Sequence, residues 1–595
     1  MAGVTARIAA WLERGLGFLA ASLLAALLAL VLTNVGLRYL FHTGFVGAEE
    51  LAIWMHVTLI AVGAPLALNG PLAMRLDVFV RSLPGRLRVA AGIGADAYSV
   101  LAALVLLFGG AEIMTALGGI SPTLGLPEWI RFGVLVGSGL LVLILLVLRR
   151  LSEGRTLALL LSLAIGAAAH AIPMIVAAEP SLPASLFLAL AAGLGLVLSA
   201  PLPHAFLAAA HLAIAFGGSL PAPAIVSTAV TGMSKFLLLA IPFFLLAGAL
   251  LTISGTAGRL VRLAETLVGH RRAGLAQTTL LTSVLFSGAS GSSVANAAFG
   301  ASTFYPELVR NGYAPERAGA LIAATSVLDN VIPPSIAFLL LAAVTNLPVG
   351  PLLVGGFVAG GLMALCLAAA IHLVAGETRS KKRATGAERR RAALLALPAL
   401  GLGVIVVAGI RFGIVTTTEA AALAAAYTLA LAVAARLKTA ALYEAVRQSA
   451  TAAAAIGLLI GTAGPFAFLL AVDDVAGLVS QFVSTLGGGA VAVLLLSNLV
   501  LLVAGLVLDI GAAILLLGPI LLPVAVSAGI DPIQFGVIVV VNLMIHGLTP
   551  PLGILILVVG GVTCVPASAL FRAVLPYLAA LLVSLSILIA IALLT

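Results

Sequence analysis

Between Ser287 and Pro334 the hydrophobic sequence is interrupted twice by groups that a hydrocarbon environment cannot satisfy. The first interruption is Ser287-Gly288-Ala289-Ser290-Gly291-Ser292-Ser293-Val294-Ala295-Asn296, and the second is Asp329-Asn330-Val331-Ile332-Pro333-Pro334-Ser335. Lipid offers no partner to the backbone groups that glycines and prolines leave open, so polar breaks at such depth point to function. The stretch also recurs. Pro550 stands 217 positions after Pro333, and the same spacing pairs Gly288 with Gly505, Ala295 with Ala512, Pro306 with Pro523, Gly312 with Gly529, Pro315 with Pro532, Gly319 with Gly536 and Pro334 with Pro551, with no gap. The stretch and its copy therefore have to fold as two versions of one unit.

Hydrophobic residues make up 62% of the 595 and charged residues 9%, where a soluble domain carries about 25% charged. Apolar runs of the roughly 20 residues needed for one helical crossing recur from Gly15 to the C-terminus. Strand-like alternation is absent, so the spans are helices and not a barrel. The net charge of +9 falls in short inter-helix loops; positive-inside topology accounts for it, and no nucleic acid partner is expected. Cys366 and Cys564 sit alone in apolar runs and imply neither a disulfide framework nor a metal site. Met1 to Arg14 leads directly into an apolar run long enough to span, so no cleaved leader is expected.

Four spans are expected in the first quarter, near Gly15 to Leu37, Ala48 to Gly70, Val89 to Gly109 and Ile130 to Leu148. Arg75, Arg81, Arg86 and Arg88, then Arg149, Arg150 and Arg155, mark the inner loops; Glu49, Glu50, Glu112 and Glu128 lie on the opposite side. A linking helix from Thr156 to Ala177 crosses outward to the turn Glu179-Pro180-Ser181-Leu182-Pro183, the expected domain boundary. Spans near Ala184 to Leu202, His204 to Leu220 and Lys235 to Ser254 then return the chain to an amphipathic, interfacial stretch, Gly258 to Arg272.

Leu275 to Arg310 has polar ends and limbs too short to cross, and reads as a re-entrant hairpin with its tip at Ser287 to Ser293. Pro315 to Thr345 reads as a helix broken at Pro333-Pro334, where proline removes donors and frees carbonyls. Pro351 to Ala375 returns to the basic loop Arg379 to Arg391. Spans Ala392 to Gly409, Ile414 to Ala435 and Ser449 to Ala471 follow. The second interfacial stretch, Asp473 to Gly489, carries acids and no Lys or Arg, which places it on the opposite face from the first. A second hairpin tip near Gly505 to Ala512, a second broken helix from Asp531 to Cys564 parted at Thr549-Pro550-Pro551, and a last span from Ser568 complete the chain. Inverted copies with interrupted helices are the plan of secondary transporters, in which solute and ions meet at the midplane between the breaks.

Ser290-Gly291-Ser292-Ser293-Val294-Ala295, Ile332-Pro333-Pro334-Ser335, Gly529-Ile530-Asp531-Pro532, Asn542-Leu543-Met544 and Leu548-Thr549-Pro550-Pro551 resemble the large (M) subunit of TRAP transporters. The first quarter resembles the small (Q) subunit through Asn34-Val35, Arg38-Tyr39, Ala48-Glu49-Glu50-Leu51 and Arg75-Leu76-Asp77-Val78 with Leu83-Pro84. The resemblance implies an all-α polytopic membrane protein: a four-helix Q-like domain (1–155), a linking segment (156–183) and an M-like domain (184–595) of ion-transporter-superfamily type. Its inverted repeats would cover about 184–375 and 392–595. It also implies sodium-coupled, elevator-type uptake of an organic acid, a dicarboxylate, sialic acid or similar carboxylate, handed over by a periplasmic binding protein to a monomeric unit in the inner membrane of a bacterium or archaeon. No loop is long enough to form a soluble capture domain.

Ser290, Ser292, Ser293 and Asn296 could ligate Na+ together with carbonyls near Val331 and Ile332, since a hard cation takes oxygen ligands; close packing of small residues is the alternative. Asp509 and Thr549 are the corresponding candidates at the second tip and break, with helix capping the alternative for Asp509. Asp329-Asn330 stands where M subunits usually carry glycine or apolar residues, and the repeat position of Asp329 is His546. With Pro333, Pro334, Pro550 and Pro551 these residues flank the expected cavity. They could bind a substrate amine, pair with each other, move protons, or face a water-filled vestibule. Thr417 stands where the family often has proline, which leaves Glu419 a weak candidate, and His170, His204 and His211 read as interfacial or satisfied. Two rivals remain at this level: a stand-alone sodium/organic anion symporter, and an intramembrane serine protease using Gly288-Ala289-Ser290-Gly291 with His546 as base.

Overall fold

The computed structural model describes residues 2–68, 74–176, 182–290, 293–374, 382–485, 487, 489–506, 508–550 and 553–594, without the side chains of 2, 78, 257 and 288–290. The described chain is all-helical, with one isolated bridge between Ile120 and Pro127. Its helices are α1 (Ala2–Phe41), α2 (Ala48–Ala67), α3 (Asp77–Ser82), α4 (Gly85–Ala116), α5 (Trp129–Ser152), α6 (Thr156–Ile175), α7 (Ala184–Val197), α8 (Leu202–Ala213), α9 (Ala222–Met233) and α10 (Ala240–Ile253). There follow α11 (Ala257–Val268), α12 (Gly274–Ser290), α13 (Ser293–Thr303), α14 (Tyr305–Arg310), α15 (Pro315–Ser326), α16 (Ile336–Thr345), α17 (Val349–Val374), α18 (Gly386–Arg411) and α19 (Thr417–Ala434). The last are α20 (Thr439–Val472), α21 (Val475–Thr485), α22 (Gly489–Gly505), α23 (Ile510–Ser527), α24 (Pro532–Ile545), α25 (Ile554–Thr563), α26 (Ala567–Ala573) and α27 (Leu575–Leu594). Twelve helices among the described residues are long and apolar enough to cross a bilayer.

The spans expected over 184–220 take a different form. α7 has 14 residues and α8 has 12, a rise of only about 20 Å each. A further 12-residue helix, α9, follows them. Proline explains the division: Pro201 and Pro203 open α8, while Pro221 and Pro223 open α9 after Gly217 turns left-handed at φ 85°. The expected boundary at 179–183 lies mostly outside the described residues, as does part of the basic loop 379–391.

Two compact units form. One contains residues 1–242 and 446–479, the other 243–445 and 480–595. In the first, small residues let helices of the chain's first quarter approach later ones. A Cβ on Gly63 would lie 2.5 Å from Ala454, one on Gly457 2.5 Å from Ile60, and one on Gly109 2.7 Å from the Ala222 carbonyl. Tyr98 donates to the Ala191 carbonyl at 2.6 Å, and Asp77 accepts from Ser199. Arg150 grips the 3% exposed Asp96 through two bonds of 2.6 and 2.7 Å, which keeps that buried carboxylate paired. Of the three histidines, His204 Nδ1 meets Ser99 Oγ at 3.0 Å and His211 Nε2 meets the His170 carbonyl at 3.0 Å; the rings of His170 and His211 stack at 4.6 Å, and their Nδ1 atoms are buried with no hydrogen-bond partner among the described residues.

The second unit carries the repeat. α12 and α13 correspond to α22 and α23, and α15 with α16 to α24 with α25. Backbone conformation follows the repeat as well. Gly312 and Gly529 are both left-handed, at φ 91° and 81°, just ahead of the prolines that open α15 and α24; Asn346 and Cys564 close α16 and α25 at φ 56° and 59°. Packing is exchanged between the copies, since α16 lies on α23 and α25 lies on α13. α11 is amphipathic as expected, with Leu260, Leu263 and Ala264 buried and Arg259 and Arg262 exposed.

Candidate functional site

At the first break α15 ends in a 3-10 turn, Val327–Asn330, and the helix resumes only at Ile336. Prolines 333 and 334 account for the gap, because neither can donate an N–H to a continuing helix. Ser335 restarts it: its Oγ accepts the Phe338 N–H at 3.4 Å and donates to the Asn330 carbonyl. The turn packs against α12 and α13, so the first tip and the first break share one locality. Asp329 and Val331 are fully buried, Ile332 is buried with both prolines, and Asn330 is partly exposed.

Ser293 and Asn296 project from one face of the first turn of α13 and are buried. Among the described residues neither Ser293 Oγ nor Asn296 Nδ2 has a hydrogen-bond partner. Buried polar atoms rarely stay so without a ligand, ion or water to meet them. Ser287, by contrast, is satisfied within its helix, donating to the Ser283 carbonyl at 2.6 Å. Ser292 and Pro551 lie outside the described residues, as does the side chain of Ser290.

At the second tip Asp509 is the N-cap of α23, accepting the Ala512 N–H through Oδ1 at 3.1 Å, and its side chain is exposed. At the second break Thr549 donates to the His546 carbonyl at 3.0 Å and Pro550 is exposed. His546 joins break to hairpin: Nε2 lies 2.6 Å from the Leu502 carbonyl on α22, and Nδ1 lies 3.2 Å from the Asn542 carbonyl. Gly505 leaves the space, since a Cβ there would come within 2.4 Å of the imidazole. Asn542 extends the link by donating to Asn498 Oδ1 at 2.7 Å, while its own buried Oδ1 has no partner.

His546 and Asp329 do not pair, because both imidazole nitrogens face backbone carbonyls. Glu419 acts within its own helix start, where it accepts the Thr416 N–H at 2.8 Å while Thr416 Oγ1 accepts from Glu419 N–H at 3.3 Å, a capping box that opens α19. Asn498 was not singled out in the sequence. The signal available was the pair Ser497-Asn498 inside the otherwise apolar run of α22.

Comparison with known proteins adds the following. The family model described as "Tripartite ATP-independent periplasmic transporter, DctM component" matches residues 186–594, and that described as "Tripartite ATP-independent periplasmic transporters, DctQ component" matches 27–156. The isethionate TRAP transporter permease protein DctMQ of Oleidesulfovibrio alaskensis is 32% identical over 97% of this chain and 93% of its own length. The C4-dicarboxylate TRAP transporter large permease protein of Pseudomonas aeruginosa is 39% identical over 59% of this chain and 83% of its own length. The sialic acid TRAP transporter large permease protein of Vibrio cholerae is 33% identical over 60% and 84% respectively.

Proposed function

The chain belongs to the tripartite ATP-independent periplasmic transporter family, with the DctQ and DctM membrane components in one multi-pass inner-membrane polypeptide, and from that premise we propose sodium-coupled, elevator-type import of an organic acid received from a periplasmic binding protein. The relatives are named as permeases and not as enzymes. Their named substrates, isethionate, C4-dicarboxylate and sialic acid, support an organic acid here. Residues 1–155 would supply the small component and 184–595 the large one.

The observation that carries the coupling is the buried, unpartnered Ser293 Oγ beside Asn296 on the first turn of α13, next to the broken helix. A hydroxyl oxygen of this kind suits a hard cation better than a soft one. Na+ is the co-substrate, held by Ser293, Asn296 and, by repeat, the neighbourhood of Asp509 and Thr549; H+ is the alternative ion. Half-helix N-termini at α13, α16, α23 and α25 supply partial positive charge for the substrate carboxylate. Two re-entrant hairpins and two broken helices would then ride together as the moving part.

Proteoliposomes carrying the full chain, supplied with its cognate binding protein and labelled acid, test this reading. Accumulation should need both an inward Na+ gradient and the binding protein. Uptake driven equally well by a proton gradient at constant Na+ would remove sodium as coupling ion, and uptake of free acid with no binding protein would favour a stand-alone symporter.

A further inference from the structure

We propose that the first unit carries, at its outer mouth, a binding site for the headgroup of an aminophospholipid with phosphate and primary ammonium both engaged. The site is an open cavity of about 1000 Å³ between the end of α1, the connection to α2, the first turns of α2 and the start of α5. All of its lining belongs to that one unit.

Trp54 lines the cavity and is only 7% exposed, yet its indole N–H is buried with no acceptor among the described residues. An N–H left so costs free energy that a ligand oxygen would recover. Two guanidinium groups, Arg38 and Arg131, line the same space. Arg131 holds Glu128 through Nη2 at 3.2 Å while its Nε is buried without a partner. Trp54 and Arg131 thus offer donors for a phosphate oxygen.

The opposite sign is present in equal number. Glu49 and Glu50 both line the cavity; Glu50 accepts from Thr123, and Glu49 is exposed. Two cations and two carboxylates suit a zwitterion better than an anion, and the carboxylates can accept from a primary ammonium but not from a quaternary one. The loops carrying Arg75 to Arg88 and Arg149 to Arg155 lie at the other ends of α2 and α5, which puts this mouth on the outer side. Tyr39 and Phe45 line it, and Phe45 is 51% exposed. Aromatic rings there suit the level where headgroups give way to acyl chains. This inference does not rest on the transport reading.

Native mass spectrometry of the delipidated full chain, reloaded in nanodiscs holding equal amounts of phosphatidylethanolamine, phosphatidylcholine and phosphatidylglycerol, reads the site directly. Retention of one phosphatidylethanolamine in preference to the other two is expected. Trp54→Phe and Arg131→Gln should each lower that retention about tenfold or more, the worth of one hydrogen bond to a charged group. Glu49→Gln, at an exposed position that should leave folding intact, should erase the preference over phosphatidylcholine. Equal retention of all three lipids by the wild type, or unchanged preference in Arg131→Gln and Glu49→Gln, would overturn the proposal. Binding of free glycerophosphoethanolamine without any retained lipid would do so too, by showing that the ligand is soluble.

Discussion

Asp509 and Ser293 carry the coupling proposal at the scale of single side chains, and each can be separated from its structural role. Asp509→Asn keeps an amide oxygen for the Ala512 N–H and removes the charge. It should raise the Na+ concentration for half-maximal uptake about tenfold, roughly 1.4 kcal/mol, with thermal stability in detergent unchanged. Asp509→Ala should add the loss of a cap, about 1 kcal/mol; sodium activation left normal by both changes would reduce Asp509 to a cap. Ser293→Ala removes an oxygen that bonds nothing among the described residues, so it should weaken sodium activation at normal folded yield. His546 offers a packing test. His546→Ala strands the Leu502 carbonyl and should cost about 1–3 kcal/mol, and Gly505→Ala collides with the ring at 2.4 Å and should cost about 1–3 kcal/mol. The double variant should melt above the sum of the two losses, and simple additivity would contradict the contact. Sequence showed where these residues recur but not what they touch. The ring of His546 facing two carbonyls depends on the angle between α22 and α24, which no local pattern encodes.

At the scale of elements, the double prolines do what their chemistry requires, ending α15 in a 3-10 turn and leaving α16 to be restarted by Ser335. Replacing Pro333 and Pro334 with alanines should let α15 continue into α16. Transport should fall below detection while membrane yield stays near normal, and uptake near the wild-type rate would show that the break is dispensable. Broken helices, the amphipathic α11 and the order of spans were legible, because each follows from where apolar runs stop and which residues stop them. The division of 184–233 into α7, α8 and α9 was not. Pro201 and Gly217 were in view there, yet apolar length alone stretched α7 and α8 into full spans, and α9 falls in a stretch where no span was expected.

At the scale of the whole molecule, the claim that organises the rest is that two copies of one unit insert with opposite orientation. The repeated left-handed positions and the exchanged packing of α16 on α23 and α25 on α13 establish the copies; the charge contrast between Gly258 to Arg272 and Asp473 to Gly489 carries the inversion. The pairing was legible because glycine and proline hold their spacing, while the exchange between copies is a property of three dimensions. The most direct measurement uses a chain with Cys366 and Cys564 replaced and one cysteine returned at exposed Arg262 on α11 or exposed Ser484 on α21. A membrane-impermeant thiol reagent added to sealed vesicles of known orientation should label Arg262→Cys only from the cytoplasmic side and Ser484→Cys only from the periplasmic side. Labelling of both from the same side would contradict the inverted repeat and, with it, the shared cavity.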